Sequence, residues 1–240
     1  MMNQIRSEWI KLRSVRSSMI MLLLSLLLGV GVAALSALNT DDTNVEISGV
    51  LTGVQFATVI FTVLGVQIIG QEYRFNTIRT TFTATPRRGR VVTAKAVVLL
   101  VAVGVTSALL IAASIGAAAA ISASKGYHLN LDNPSTPRLL IGTLAVSLLS
   151  AAFGYAMGCI ARQPVAGIVI ALVWSAVVEV TLSSLIKGSA RWLPNLSASN
   201  LTAPTLDQAA FSPTVGGLYS ATIIIALIFI GYVRISRLDA

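Results

Sequence analysis

One cysteine and one histidine are all that this sequence offers of the residue types that build disulfides and most metal centres. Cys159 stands alone beside Gly158 in an apolar run, so no intrachain disulfide can form, and it says nothing about redox compartment. His128 has no cluster of metal-ligand residues around it and no nucleophile elbow nearby. It reads as a surface residue, and no Ser-His-Asp arrangement can operate. Also missing is any G-x-x-x-x-G-K-[ST] stretch, and with it the loop that cradles nucleotide phosphates. No catalytic, cofactor-binding or metal-binding residue is therefore expected, and the chain does not read as an enzyme. No internal repeat relates its halves. Charge is scarce too, at 11% of 240 residues, with nine acidic side chains against 17 Lys and Arg.

What is there is apolar. Hydrophobic residues make up 55% of the chain, and the mean hydropathy of +0.82 lies outside the range of ordinary soluble domains. Six runs are long enough to cross a hydrocarbon core of roughly 30 Å, which takes about 20 residues. They fall at about 18–38, 50–70, 91–122, 139–160, 165–186 and 217–233. The first is too long for a signal-peptide core and ends without a small-x-small cleavage site, so it is read as retained. The expectation is an all-α membrane protein with one transmembrane domain, residues 18–240, behind an N-terminal segment, residues 1–17.

The net charge of +8 does not indicate nucleic acid, because the basic residues lie between apolar runs rather than on one polar face. Thirteen of the 17 fall on one side of the predicted spans: Arg6 to Arg16, Arg74 to Lys95, Arg162, and Arg234 with Arg237. Retention of basic loops inside makes that side cytoplasmic and puts both termini there.

The stretch "EYRFNTIRTTFTATPRRGRVVTAK" then becomes the loop between spans two and three. Some of its arginines serve topology, but its interior is patterned. Phe75, Ile78 and Phe82 recur at i, i+3 and i+7, which predicts a short amphipathic helix broken at Pro86. Such a helix either docks in a groove of a soluble partner or rests on anionic headgroups.

The order E-Y-R-x-x-T-I-R followed by P-R-R-x-R and a Lys, here Glu72, Tyr73, Arg74, Thr77, Ile78, Arg79, Pro86, Arg87, Arg88, Arg90 and Lys95, resembles the cytoplasmic loop of ABC-2 type transporter permeases. The opening "RSEWIKLRSVRSS" resembles the N-terminal segment of actinobacterial members. The resemblance implies a bacterial plasma-membrane permease that pairs with a second permease subunit, identical or paralogous. It also implies two copies of a separate ATP-binding subunit, which would bind MgATP. By the same likeness Glu72 to Arg79 form the coupling helix seated in a cleft of that subunit, and Pro86 to Arg90 the return into the membrane.

In the N-terminal segment Ile5, Trp9 and Leu12 recur at i, i+4 and i+7 among basic residues. This fits either an amphipathic helix at the lipid interface or a charged topogenic tail, and the resemblance favours the helix. Within span five Glu179 is costly enough to be a functional candidate. It lies about 21 Å from Val165 at 1.5 Å per residue, in the outer half. It either makes a structural contact or, with Gln67 and Ser175, belongs to a translocation path or gate. The segment after span five, with Pro194, Pro204 and Pro213, is too polar to span and too apolar for a free loop, so short re-entrant or interfacial helices are expected there. Gly154 and Gly158 form a GxxxG face for close packing, within the chain or across a dimer. The function that follows is ATP-driven export of a hydrophobic or amphipathic substrate, such as a drug, antibiotic, lipid or peptide. An ion-coupled secondary transporter or a non-transporting accessory protein remains the alternative.

Overall fold

The computed structural model describes residues 2–40, 44–78, 88–203 and 210–238. Six helices in it are long and apolar enough to cross a membrane. An amphipathic helix α1 (Met2–Ser14) breaks at Val15, which is extended, and the chain turns into α2 (Arg16–Leu38). A strand β1 (Asn44–Glu46) leads to α3 (Ile47–Arg74), and α4 (Arg88–Lys125) is followed by β2 (His128–Asn130). Helix α5 (Thr136–Ala161) ends at Arg162 in the left-handed region, φ 54°, and Pro164 opens α6 (Pro164–Leu185) almost at once. Proline suits the first helical turn because its missing N–H would have been unpaired there. A short helix α7 (Pro194–Ser199) precedes α8 (Pro213–Leu238).

The six spans fall where hydropathy puts them. The chain is mostly helical, as expected of an all-α membrane protein, with one small addition: β1 and β2 pair in parallel, Val45 opposite Leu129, at the end of the bundle away from the chain termini. Parallel pairing joins segments remote in sequence, and a three-residue strand is too short to show alternation.

Helix α3 is the hub, packed between α2 and α5, and it is the most enclosed span, followed by α5. Glycine permits this approach. A Cβ at Gly154 would collide with the Thr62 carbonyl, and one at Gly65 with the Ala151 carbonyl. Gly158 likewise abuts Val66 and Ile69. The GxxxG face is therefore spent inside the chain, as small residues allow when helix backbones must meet. Leu51, Val54, Phe61, Leu64, Leu99, Leu110 and Tyr155 fill the core around this seam. By contrast α2, α6 and α8 show most of their apolar surface outward, Leu23, Leu27, Val169 and Phe229 among it.

Helix α3 runs past the apolar stretch. Asn76 takes a left-handed conformation, φ 55°, and the Thr77 N–H donates to the Glu72 carbonyl at 2.9 Å while the Asn76 N–H donates to the Tyr73 carbonyl at 3.2 Å. This is a Schellman stop with asparagine in the role usually given to glycine. Glu72, Tyr73 and Arg74 thus end α3, and the turn over residues 75–77 separates Phe75 from Ile78, where a helix begins, while the rest of the expected amphipathic helix lies outside the described residues. Phe75 is consequently 65% exposed and Ile78 only 6%. Arg79, Pro86 and Arg87, with Phe82, lie outside the described residues.

Candidate functional site

At the end of the bundle that carries both termini, three helix ends converge. Glu8 comes from α1, one turn after Ile5 and one before Leu12, and Ile5, Trp9 and Leu12 pack on Val98 and Ala102 of α4 and Ile68 of α3. The apolar face of α1 thus lies against protein. Because residues four apart share a helix face, Glu8 is carried inward with that stripe and is only 3% exposed. Glu72 arrives from the last turns of α3, and Lys95 from the second turn of α4.

The Lys95 Nζ donates to Glu8 Oε2 at 2.6 Å and to Glu72 Oε1 at 2.7 Å. The Lys11 Nζ donates to Glu8 Oε1 at 2.8 Å and to Glu72 Oε1 at 2.9 Å. Two acids and two bases therefore close a ring that ties α1, α3 and α4 together. Lys95 is 1% exposed, so its charge depends on these partners, whereas the Lys11 side chain is 45% exposed. Glu72 Oε2 is buried and has no hydrogen-bond partner among the described residues. Burial pushes the Glu8 carboxyl up, but Lys95 and the hydrogen bonds from Lys11 and Lys95 outweigh it and hold the group below its ordinary value. For Lys11 burial pulls down, while the bonds to Glu8 and Glu72 win and raise it.

A cavity of about 520 Å³ opens beside the ring. Its lining includes Glu8, Lys11, Glu72 and Lys95, with Gln71, Phe75 and Thr77 beside them. The Gln71 amide donates to Ser17 at 3.0 Å and to Gln67 at 2.8 Å, stitching α3 to the start of α2. Arg88, at the first residue of α4, donates to the carbonyls of Ile235 and Ser236 at 3.3 and 2.8 Å. It thereby caps the end of α8 with the charge a helix C-terminus favours.

The model of the ABC-2 family transporter protein matches residues 4–178, which span α1 through the middle of α6 and include every member of the ring. The chain belongs to the ABC-2 transporter family. It is a multi-pass membrane protein and, by that membership, the permease component of an ABC transporter. None of the curated proteins matches it.

Of the residues that sequence reasoning assigned to this permease's coupling contact, the structure brings Glu72 and Thr77 to the ring or its margin, with Tyr73 and Arg74 on the last turn of α3 and Ile78 buried just beyond the turn. Sequence reasoning missed Glu8 and Lys11, and it took Lys95 for a charge at the mouth of a span. Two signals were present: Glu8 falls in register with the apolar stripe of α1, and "TAKAVV" sets Lys95 among apolar residues. Glu179 is thus not the lone charge buried within the bundle.

At the opposite end of the permease, Glu179 is fully buried. The helix widens to a π turn over Trp174–Val178, and residues five apart then stack. Trp174 Nε1 donates to Glu179 Oε1 at 2.8 Å. The same carboxylate accepts from Asn195 N at 3.2 Å, Asn195 Nδ2 at 2.8 Å and Leu196 N at 2.9 Å. It serves as a remote N-cap, satisfying N–H groups that the first turn of α7 leaves without helical partners. Helix α7 then beds on glycine, since a Cβ at Gly216 would strike the Ser197 carbonyl and one at Gly142 the Leu201 carbonyl. Trp192, Phe211 and Tyr219 stack edgewise around it, with centroids 5.3 to 5.9 Å apart. Of the three residues expected to line a path or gate, Ser175 faces a cavity beside Asn195, Glu179 stands behind it, and Gln67 lies far off near the ring.

Proposed function

We propose that this permease is the membrane half of an ATP-driven exporter in a bacterial plasma membrane, with the ring end and both termini in the cytoplasm. Two permease subunits, identical or paralogous, would enclose the path, since six spans seldom do so alone and a two-fold pair closes it. The outward apolar faces of α2 and α6 suit that pairing, with lipid on the rest. Two copies of a separate ATP-binding subunit would hold MgATP, and this chain would do no chemistry itself. The substrate class is hydrophobic or amphipathic, and α7 would be a re-entrant element of the outer leaflet.

The observation that carries this reading is the ring. Glu72 stands at the head of the loop that would meet the ATPase, and it is bonded to the helix entering span three and to the helix preceding span one. Displacement of residues 72–79 on ATP binding would therefore reach three helices together rather than dissipate in a loose connection. Such a shift acts on packed elements with discrete arrangements.

The test is gentle extraction of the tagged protein from its native membrane. A near-stoichiometric P-loop ATPase with vanadate-sensitive hydrolysis is the expected companion. Glu72→Gln, which keeps the side chain's shape, and Arg79→Ala should each uncouple hydrolysis from transport while leaving the permease folded. Protein that emerges without an ATPase from several mild detergents, or transport untouched by both substitutions, would overturn the assignment.

A further inference from the structure

The second cavity, about 320 Å³, lies between α3, α5, α6 and α7 at the end remote from the ring. Its wall is unusual in chemistry. Five lining hydroxyls donate their hydrogens to carbonyls of their own chain segment: Thr58 to Gln55 at 2.6 Å, Thr62 to Thr58 at 2.9 Å, Ser175 to Ala171 at 2.8 Å, Ser199 to Leu196 at 2.7 Å and Thr202 to Ser199 at 3.0 Å. A hydroxyl has one hydrogen and two lone pairs. With the hydrogen spent, each of these five oxygens can offer a ligand only acceptance, and they outnumber the lining groups that can still donate, the amides of Gln55 and Asn195 and the Ser150 hydroxyl.

Among the described residues no charged side chain lines the cavity. Glu179 lies behind the wall with its carboxylate filled by four N–H groups, two of them from the lining residue Asn195. Arg138 gives its guanidinium to the Ala203 carbonyl, next to Thr202. Neither flanking charge lines the cavity, although the buried Arg138 Nε has no partner among the described residues, and an ion entering would lose water without meeting a counter-charge at the described wall, which is costly. Val59 and Leu172 supply an apolar portion of the wall. The volume is at the low end for ligand pockets, which run about 300–1,000 Å³, enough for a head group and a few carbons.

The geometry points to this cavity as a subsite for an uncharged, hydrogen-bond-donating head group of an amphiphile, such as the hydroxyls of a glycoside. It rests on the export reading for its purpose and deepens that reading by naming the substrate class. The excess of acceptors discriminates as a polar site does, because a ligand that brings no donor leaves most of the lining oxygens unpaired after it displaces their water.

The test needs no ATPase. The full-length permease in lipid nanodiscs is titrated calorimetrically with octyl glucoside, octylammonium and octyl sulfate below their micellar concentrations, and empty discs are subtracted. The glucoside should bind saturably and at least tenfold more tightly than either ion. Thr58→Val with Ser175→Ala removes two acceptors whose own bonds are local, and should weaken glucoside binding by about tenfold, two ordinary hydrogen bonds' worth. Thr222→Val, a hydroxyl on α8 that bonds the Leu218 carbonyl and does not line the cavity, should leave it unchanged. An ion bound as tightly as the glucoside, no saturable glucoside binding, or full binding by the double variant would each overturn the proposal. Any of these would leave the ATPase partnership standing, because that is read by co-purification.

Discussion

Lys95 is the buried cation of the ring, bonded to both acids, which share their other base, Lys11, with solvent. Removing one member of a buried ion cluster leaves the others uncompensated, at a cost of about 3–5 kcal/mol. Lys95→Met should therefore lower the thermal midpoint of the purified permease far more than Lys11→Met, whose side chain is already half in solvent. The ring also has a pH signature. Glu8 is depressed from 4.5, so its contribution is present above that value and is lost as pH falls through the lower folded value. Lys11 is raised from 10.5, so its contribution is complete below that value and is lost as pH climbs through the higher folded one. Stability measured from pH 3 to 6 should fall steeply on the acid side, and Glu8→Gln should flatten that limb while lowering the plateau. Glu179 makes the complementary case at the other end. Glu179→Ala strands four donors and should loosen α7, read as faster proteolysis of residues 189–203.

Helices legible in the sequence were those whose signal is local. Each span is a run of apolar residues, so periodicity was not needed and hydropathy sufficed. The stop of α3 was legible in principle, since asparagine tolerates the left-handed conformation, yet the polar residues around it read equally well as a new helix. What escaped was pairing between distant segments. The partners of Glu179 come from α7, beyond a turn, and β1 meets β2 across the whole of α3 and α4. The packing seam makes a sharp prediction. Gly154→Val forces a branched side chain into the Thr62 backbone, where neither helix can give, and should cost at least the roughly 1–3 kcal/mol of an overpacked core. Gly31→Ala, on the open face of α2 with nothing within 4 Å, should be neutral or stabilising by about 0.5–1 kcal/mol. Denaturation of the two variants in one detergent gives both answers.

Taken whole, the permease has a charged end and a hydroxyl-rich end, and the assignment of inside and outside follows from the charged one. Cys159 is buried and free, so the unaltered protein should resist a membrane-impermeant maleimide. Gly126→Cys, at an exposed turn, should label in intact cells. Ser14→Cys, at the exposed end of α1, should label only after the membrane is opened. The reverse pattern would overturn the proposed orientation. Family membership was legible in the loop motif, while the ring that Glu72 and Lys95 enter was not, because two of its four members lie outside that loop.

The ring also dictates an order of birth. Glu8 and Lys11 leave the ribosome first, Glu72 follows, and Lys95 comes last, embedded in the helix that must enter the lipid. Until Lys95 arrives, the two acids have only Lys11 between them. Helix α1 must then wait at the surface while α2 and α3 cross, and it can settle only once α4 presents its ammonium. The final helix, whose end Arg88 holds, fastens the same region from the other terminus. A nascent chain halted before α4 thus holds two acids with Lys11 alone between them, a lock that only the third transmembrane helix can close.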